Sequence, residues 1–431
     1  MTDLVGFNGT GVYNSSATPA SLPWNTYNYC NAPHVTASHY EAPEGAELVY
    51  LNLMMRHHKC SHLVQRTPDN LYPDEGSFNP PSGWNCSDFQ PFSYGGPGGT
   101  NIQHQVTNPA DHPFATLMWA GTCDEGQLTR AGFEDARKHG ESFWSVYHDK
   151  LHFLEEVSTK EFYVRTGPSD RTNQVASALL AGMDPSLIHK EFTVYTEPST
   201  IDGLVPSYSC PTADDIRDAY QSVPAWTNHL EQYADLQSRL GAITGTEGLD
   251  AWESWYDHYF DTFTSRTCHG HPLPCNVTSG VCVSEEDATL VHALGDFEYN
   301  YIWNTAVNST DYNELTFGVM YKELANNFQS FASGKETKKA RLYVGHDGSM
   351  IRLAAGLGLG NVSALRWPAL GSEIIMEVWK QHDGSFAVRV MHEGVPVAGM
   401  DHIPLADFIH NLEAHVPENL MESCLGTSPG V

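Results

Sequence analysis

The sequence predicts an α/β fold with a mostly parallel central sheet flanked by helices, and three observations carry that reading. Leu48 to Met55 is a short, nearly continuous apolar run, the pattern of a strand buried on both faces. Phe162-Tyr163-Val164 and Arg341-Leu342-Tyr343-Val344 are two further short apolar runs. Each of the three ends in a polar tip, and helical periodicity follows the second and third, as parallel strands with crossover helices require.

Taken in order, residues 1–45 are rich in Ser, Thr, Asn and Pro without a sustained period, which predicts an extended arm tied down through Cys30. The first strand follows and ends at Arg56-His57. Pro68 to Pro113 is dense in Pro, Gly, Asn and Ser and reads as a long loop pinned by Cys86. Thr129 to Leu151 carries Ala131, Phe133, Ala136, Phe143, Trp144 and Tyr147 among charged residues, an amphipathic helix. The strand at 162–164 ends at Arg165, and a turn through Gly167-Pro168 leads to a helix through Val175, Ala178 and Leu179. Helical runs at 213–240, 246–264, 284–305 and 311–332 make 206–335 an inserted helical domain, with 46–205 and 336–431 forming the α/β core. The strand at 341–344 ends in Gly345-His346-Asp347-Gly348 and leads into another helix. Glu373–Trp379 and Phe386–Met391 flank Asp383-Gly384, a hairpin signal. A last helix spans Leu405 to His415.

The charge balance excludes several functions. Against 52 Asp+Glu stand 23 Lys+Arg, a formal charge of −29. Binding to a nucleic-acid backbone or an anionic membrane surface needs the opposite sign. No segment approaches the ~20 consecutive apolar residues of a membrane-spanning helix. Nine cysteines and several N-x-[ST] triplets point to an exported, disulfide-bearing chain with N-glycans at Asn85, Asn276, Asn308 and Asn361. The expected localisation is extracellular, although the first residues show neither a basic n-region nor an apolar h-region, so no signal peptide is visible.

The three strand tips concentrate the chemistry. Ligands in open α/β sheets bind beyond the carboxyl ends of the strands, beside helix amino-termini. Here those ends present Arg56-His57, Arg165 and His346-Asp347. Guanidinium groups grip phosphate oxygens with two bonds, a neutral imidazole can attack phosphorus, and a carboxylic acid can protonate a leaving oxygen. This set requires no metal and no cofactor. His269-Gly270-His271 lacks further ligands at zinc spacing and reads as part of a cysteine-pinned loop. Gly356 to Gly360 does not fit G-x-G-x-x-G and reads as a helix terminus.

With those residues in place the chain resembles the histidine acid phosphatases, branch 2 of the histidine phosphatase superfamily, a family that includes fungal secreted acid phosphatases and phytases. The resemblance rests on Arg56-His57, on Val164-Arg165-Thr166 through Arg171-Thr172, on His346-Asp347, and on Cys123 through Thr129 and Ser372 through Trp379. It implies a phosphoglycerate mutase-like fold and hydrolysis of small phosphorylated substrates at acid pH through a phosphohistidine. On the same basis His57 is the nucleophile, Asp347 the general acid, and His346 a stabilising partner. Arg56 and Arg165 bind the phosphate.

The first motif departs from the family pattern R-H-G-x-R-x-P. His58 stands at the glycine position and Cys60 where the second arginine belongs; removing Cys60 to Gln65 gives R-H-H-K-R-T-P. This reads as a six-residue insertion, with Arg66 the displaced phosphate-binding arginine and Lys59 the fallback cation. Eighteen nucleotides would encode it, consistent with retained intron sequence. It also accounts for the odd cysteine count, since the eight others can form four disulfides. The rival expectation is a secreted glycoprotein of this fold whose catalysis the insertion impairs. Low basicity favours simple monoesters over phytate.

Overall fold

Strand β1 (Glu47–Arg56) lies near the middle of a seven-stranded sheet in the computed structural model, which describes residues 4, 11–13, 15–60, 84–89, 92–94, 99–104, 111, 122–123, 126–188, 190–276 and 278–426. Its side chains alternate between two cores, as the two-residue repeat of a strand dictates. Tyr50 and Met54 join a core shared with the long helices, whereas Leu51, Leu53 and Met55 join a second core on the opposite face. Each buried Leu or Met contributes about 1.5–3 kcal/mol relative to exposure.

A short hairpin, β2 (Phe92–Tyr94) and β3 (Asn101–Gln103), lies within the stretch expected to be loop. Helix α1 (Arg130–Trp144) starts at Thr129, whose hydroxyl accepts from Gly132 N, and relaxes into a wider π-helical turn over Ser145–Lys150. Strand β4 (Phe162–Thr166) leads into α2 (Asp170–Met183). Helices α1 and α2 meet backbone to backbone. A Cβ at Gly140 would lie 2.1 Å from Leu179 O and one at Gly182 only 2.0 Å from Arg137 O, so glycine is required at both places.

A run of helices follows: α3 (Pro211–Gln221), α4 (Pro224–Gln232), α5 (Ala234–Thr244), α6 (Asp250–Glu253), α7 (Asp257–Cys268), α8 (Glu285–Asn300) and α9 (Ser309–Ala332). The single helix expected over 213–240 is three, because Pro224 starts a new helix at α4 and α5 begins anew after Tyr233. Strand β5 (Ala340–Gly345) and helix α10 (Asp347–Gly356) come next, then the hairpin β6 (Glu373–Lys380) and β7 (Phe386–His392). Two-residue strands β8 (Val395–Pro396) and β9 (Ile403–Pro404) pair with β7. Helix α11 (Leu405–Ala414) closes the core, and α12 (Leu420–Leu425), which sequence reading missed, is held by the Cys210–Cys424 disulfide.

The sheet order is β4-β5-β1-β6-β7-β8, with β9 also on β7. The sheet is mixed rather than mostly parallel: β4, β5 and β1 run parallel, while β6 pairs antiparallel with β1 and the remaining pairs are also antiparallel. The Asp-Gly turn makes β6 and β7 antiparallel to each other, and the hairpin docks on β1 through β6 in the antiparallel sense. The three parallel neighbours carry the three polar tips on one edge.

Cys30–Cys268, Cys86–Cys123, Cys210–Cys424 and Cys275–Cys282 are disulfides, and Cys60 is a buried free thiol. The thiol left over is therefore the one in the split motif. Among the described residues no helix is long and apolar enough to cross a membrane.

Candidate active site

The β1 tip is fixed from both sides by backbone hydrogen bonds. His57 N donates to Gly345 O at 3.1 Å, Arg56 N to Ser372 O at 2.9 Å, and Gly371 N to His57 O at 3.1 Å. The ring of His57 donates through Nδ1 to the carbonyl of His58 at 2.8 Å. A carbonyl can only accept, so Nδ1 carries the proton and Nε2 the lone pair. Burial and the fields of Arg171, His346 and Arg56 hold His57 well below the usual histidine range. Both effects favour the neutral ring, whose Nε2 lone pair is then able to act as a nucleophile.

Arg56 is buried and over-determined. One Nη donates to Tyr29 Oη at 3.2 Å and to Pro368 O, and the other lies 3.2 Å from Asp347 Oδ2. Its Nε is buried with no hydrogen-bond partner among the described residues, and so is Nε of Arg171. The His346 ring packs edge-on against His57 with centroids 5.1 Å apart. Arg171 Nη2 sits 3.3 Å from His346 Nδ1, and Ser169 Oγ lies 3.4 Å from Nε2. Asp347 opens α10: its Oδ1 accepts from Gly348 N at 2.7 Å and its Oδ2 from the Trp367 indole at 2.8 Å. His57, Arg56, His346 and Asp347, all expected from the sequence, therefore stand together at the tips of β1 and β5.

Two expected phosphate ligands stand elsewhere. Arg165 is surrounded by carboxylates, with Glu323 on Nη1 and Glu197 and Asp202 at 2.5 and 3.3 Å on Nη2. Three anions around one guanidinium leave it no net attraction for phosphate, and its task is to hold the 202–205 turn. Asp202 in turn accepts from Leu204 N and Val205 N, and Leu204 O accepts from Ser349 Oγ of α10. Arg171, named in the middle motif without a role, is the arginine that reaches His57 and His346. Lys59 is likewise committed, buried against Asp135 and donating to Ser16 Oγ at 2.6 Å. Arg66 lies outside the described residues, as do positions 61–65.

His58, the residue at the glycine position, anchors a group that sequence reading missed. Its Nε2 lies 3.4 Å from His139 Nδ1, His139 Nε2 bonds Glu373 Oε2 at 2.9 Å, and His34 stacks on His139 at 4.3 Å. Gly371, at φ +75°, makes room for it, since a Cβ there would fall 2.3 Å from the His58 ring. Burial lowers His139 to about 3 and His34 to about 4, and pushes Glu373 up to about 7. Cys60 is buried within the electrostatic reach of Arg171 and Arg56, and its burial raises the thiol above the ordinary value. His269 bonds Ser265 O at 2.7 Å and Thr129 Oγ1 at 3.0 Å, a structural role in its cysteine-pinned loop.

Comparison with known proteins identifies the family and the fold. The family model described as "Histidine phosphatase superfamily (branch 2)" matches residues 90–393, which include Arg171, His346 and Asp347 and begin beyond Arg56-His57. Lysosomal acid phosphatase of Bos taurus is 24% identical over 319 residues, covering 69% of this chain and 72% of its own length. Counting factor 60 of Dictyostelium discoideum is 22% identical over 419 residues, 92% of each chain. Among solved structures, Hafnia alvei phytase in complex with tartrate aligns with a TM-score of 0.58 at 13% identity, over 88% of this chain and 99% of its own. The phytase from D. castellii aligns with a TM-score of 0.51 at 16% identity, over 97% and 92%. The solved structures share the fold, and the family match spans well over half of the chain. This chain belongs to branch 2 of the histidine phosphatase superfamily.

Proposed function

We propose that the protein hydrolyses simple phosphate monoesters at acid pH through a phosphohistidine intermediate. The observation that carries this reading is the His57 ring, with Nδ1–H given to the His58 carbonyl and Nε2 left as nucleophile beside Arg56, Arg171 and His346. In the first step His57 Nε2 bonds to phosphorus as the ester P–O bond breaks, and protonated Asp347 gives its proton to the departing oxygen. In the second step water attacks phosphorus, its proton passes to the Asp347 carboxylate, the P–N bond breaks, and phosphate and neutral His57 are restored. Arg56 and Arg171 neutralise the oxygens of the transferring group, where charge stabilisation dominates catalysis. Because Asp347 must be protonated to act as an acid, the rate maximum lies at acid pH.

Simple monoesters are favoured over phytate because Arg165 and Lys59 are each neutralised by carboxylates, which leaves a weakly basic site. The four disulfides suit the secretory pathway. Asn85, Asn308 and Asn361 are exposed and Asn276 partly so, as N-glycan attachment requires.

The second reading is an impaired phosphatase, favoured by Cys60 in the place of a phosphate-binding arginine and by the engagement of Lys59. Release of p-nitrophenol from p-nitrophenyl phosphate separates the two, measured for this chain, for H57A and for the chain lacking Cys60 to Gln65. Activity lost in H57A supports the enzyme. A large gain on deleting the six residues supports impairment, and negligible rates in all three end the phosphatase reading.

A further inference from the structure

Trp367 belongs to no strand or helix, yet it is wholly buried and every polar and aromatic surface of it is engaged. Its indole Nε1–H donates to Asp347 Oδ2 at 2.8 Å. One ring face stacks on Phe260 of α7 at 4.1 Å and 9°, and Tyr299 of α8 stacks on it at 4.0 Å and 22°. Its backbone is held at both ends: Trp367 N donates to Asp296 Oδ1 at 2.9 Å, and Trp367 O accepts from Tyr27 Oη at 2.7 Å. Asp296 is itself fixed by Arg366, and the next carbonyl, that of Pro368, accepts from Arg56. One short segment thus holds both the carboxylate and the guanidinium of the site.

A carboxylate on a flexible side chain explores several orientations, and a stacked indole explores almost none. We propose that Trp367 is a positioning residue for Asp347: its N–H fixes the carboxyl group against the leaving oxygen and stabilises the carboxylate that forms once the proton has been given up. This rests on the proton-donor role of Asp347 proposed above. The donor is charge-assisted, so its loss matters most where the departing oxygen is basic and needs the proton. The other groups within electrostatic reach of Asp347 are Arg56 of β1, Cys60 just beyond it, Arg171 of α2 and Tyr29, and Asp261 of α7 acts on the same neighbours.

The test compares Trp367→Phe, which keeps the stacked ring and removes the donor, with the unaltered protein on two esters. For β-glycerophosphate, whose alkoxide is a poor leaving group, kcat falls roughly tenfold or more, whereas p-nitrophenyl phosphate loses less than about threefold. The alkaline limb of kcat moves to higher pH, because a hydrogen bond to the charged form is lost. Equal losses on both esters with an unmoved limb would assign Trp367 a packing role only and overturn the proposal. A second measurement needs neither activity nor the Trp367 variant. In 15N-tryptophan protein, one of the ten indole signals shifts as Asp347 titrates, and that titration vanishes in Asp347→Asn. If no indole signal loses its pH dependence in Asp347→Asn, the hydrogen bond is absent and the proposal fails. An unaltered protein inactive on both esters that still shows the titrating indole would instead refute the phosphatase reading alone.

Discussion

Arg171 Nη2 lies 3.3 Å from Nδ1 of His346, while Arg165, six residues earlier, has its guanidinium among three carboxylates. The two arginines of one motif therefore predict opposite phenotypes. Arg171→Ala lowers kcat/KM roughly 30- to 1000-fold, the range for losing one charge-stabilising donor, and leaves the melting temperature close to that of the unaltered protein. Arg165→Ala strands the buried Asp202 carboxylate and costs about 3–5 kcal/mol of stability. Steady-state kinetics beside thermal melts check both, and a stable but inactive Arg165→Ala would reverse the assignment.

His57 gives a pH prediction. Burial and three cationic or histidine neighbours, Arg171 first among them, hold its imidazole well below the usual range. A nucleophile of lowered pKa stays unprotonated as the pH falls through 6.5. The acid limb of kcat/KM therefore lies well below pH 6.5, and replacing Arg171 with an uncharged residue moves it upward. A profile that already declines below pH 6.5 in the unaltered protein would contradict this.

Glu373 and its histidine neighbours act on stability in opposite senses. Burial raises Glu373 from 4.5 to about 7, so the folded state binds its proton more tightly and stability is lost as pH rises from about 4.5 through 7. That change amounts to about 3 kcal/mol. His34 and His139 have lowered values, and their contribution is lost instead as pH falls below 6.5. Glu373→Gln removes the first effect and keeps the second. Its melting temperature relative to the unaltered protein rises steadily from pH 4.5 to 7, as calorimetry at several pH values will register; a constant difference would show that Glu373 does not titrate there.

The Cys60 thiol is buried and raised by that burial. Since the thiolate is the reacting form, a disulfide reagent at neutral pH reacts slowly with the native protein and with one thiol after denaturation. Rapid labelling of the native protein would place Cys60 at the surface.

Much of the site is legible in the sequence because it sits where local pattern ends. A buried apolar strand followed by charged residues marks β1 and β5, and their tips carry Arg56, His57, His346 and Asp347. The choice between Arg165 and Arg171 is not legible, because it depends on Glu323, 158 positions along the chain from Arg165. His139 and Glu373 are 234 positions apart, and nothing local to either shows that the two pair. Trp367 escapes notice for a related reason: it follows no periodicity, and its partners Phe260, Tyr299 and Asp347 come from three separate helices. The antiparallel side of the sheet is legible as a hairpin, but nothing local tells on which edge it will add.

The bond between Cys30 and Cys268 has a consequence for biosynthesis. Its two cysteines are 238 positions apart, and Cys60, Cys86, Cys123 and Cys210 emerge from the ribosome before Cys268 does. Pairing each cysteine with the next one synthesised would join Cys30 to the wrong partner. Tyr29, which bonds Arg56, directly precedes Cys30, and Cys268 ends the helix that carries Phe260. Maturation of the candidate site therefore depends on Cys30 either staying reduced until Cys268 is made or being reshuffled to it afterwards, so premature oxidation without thiol exchange lowers the yield.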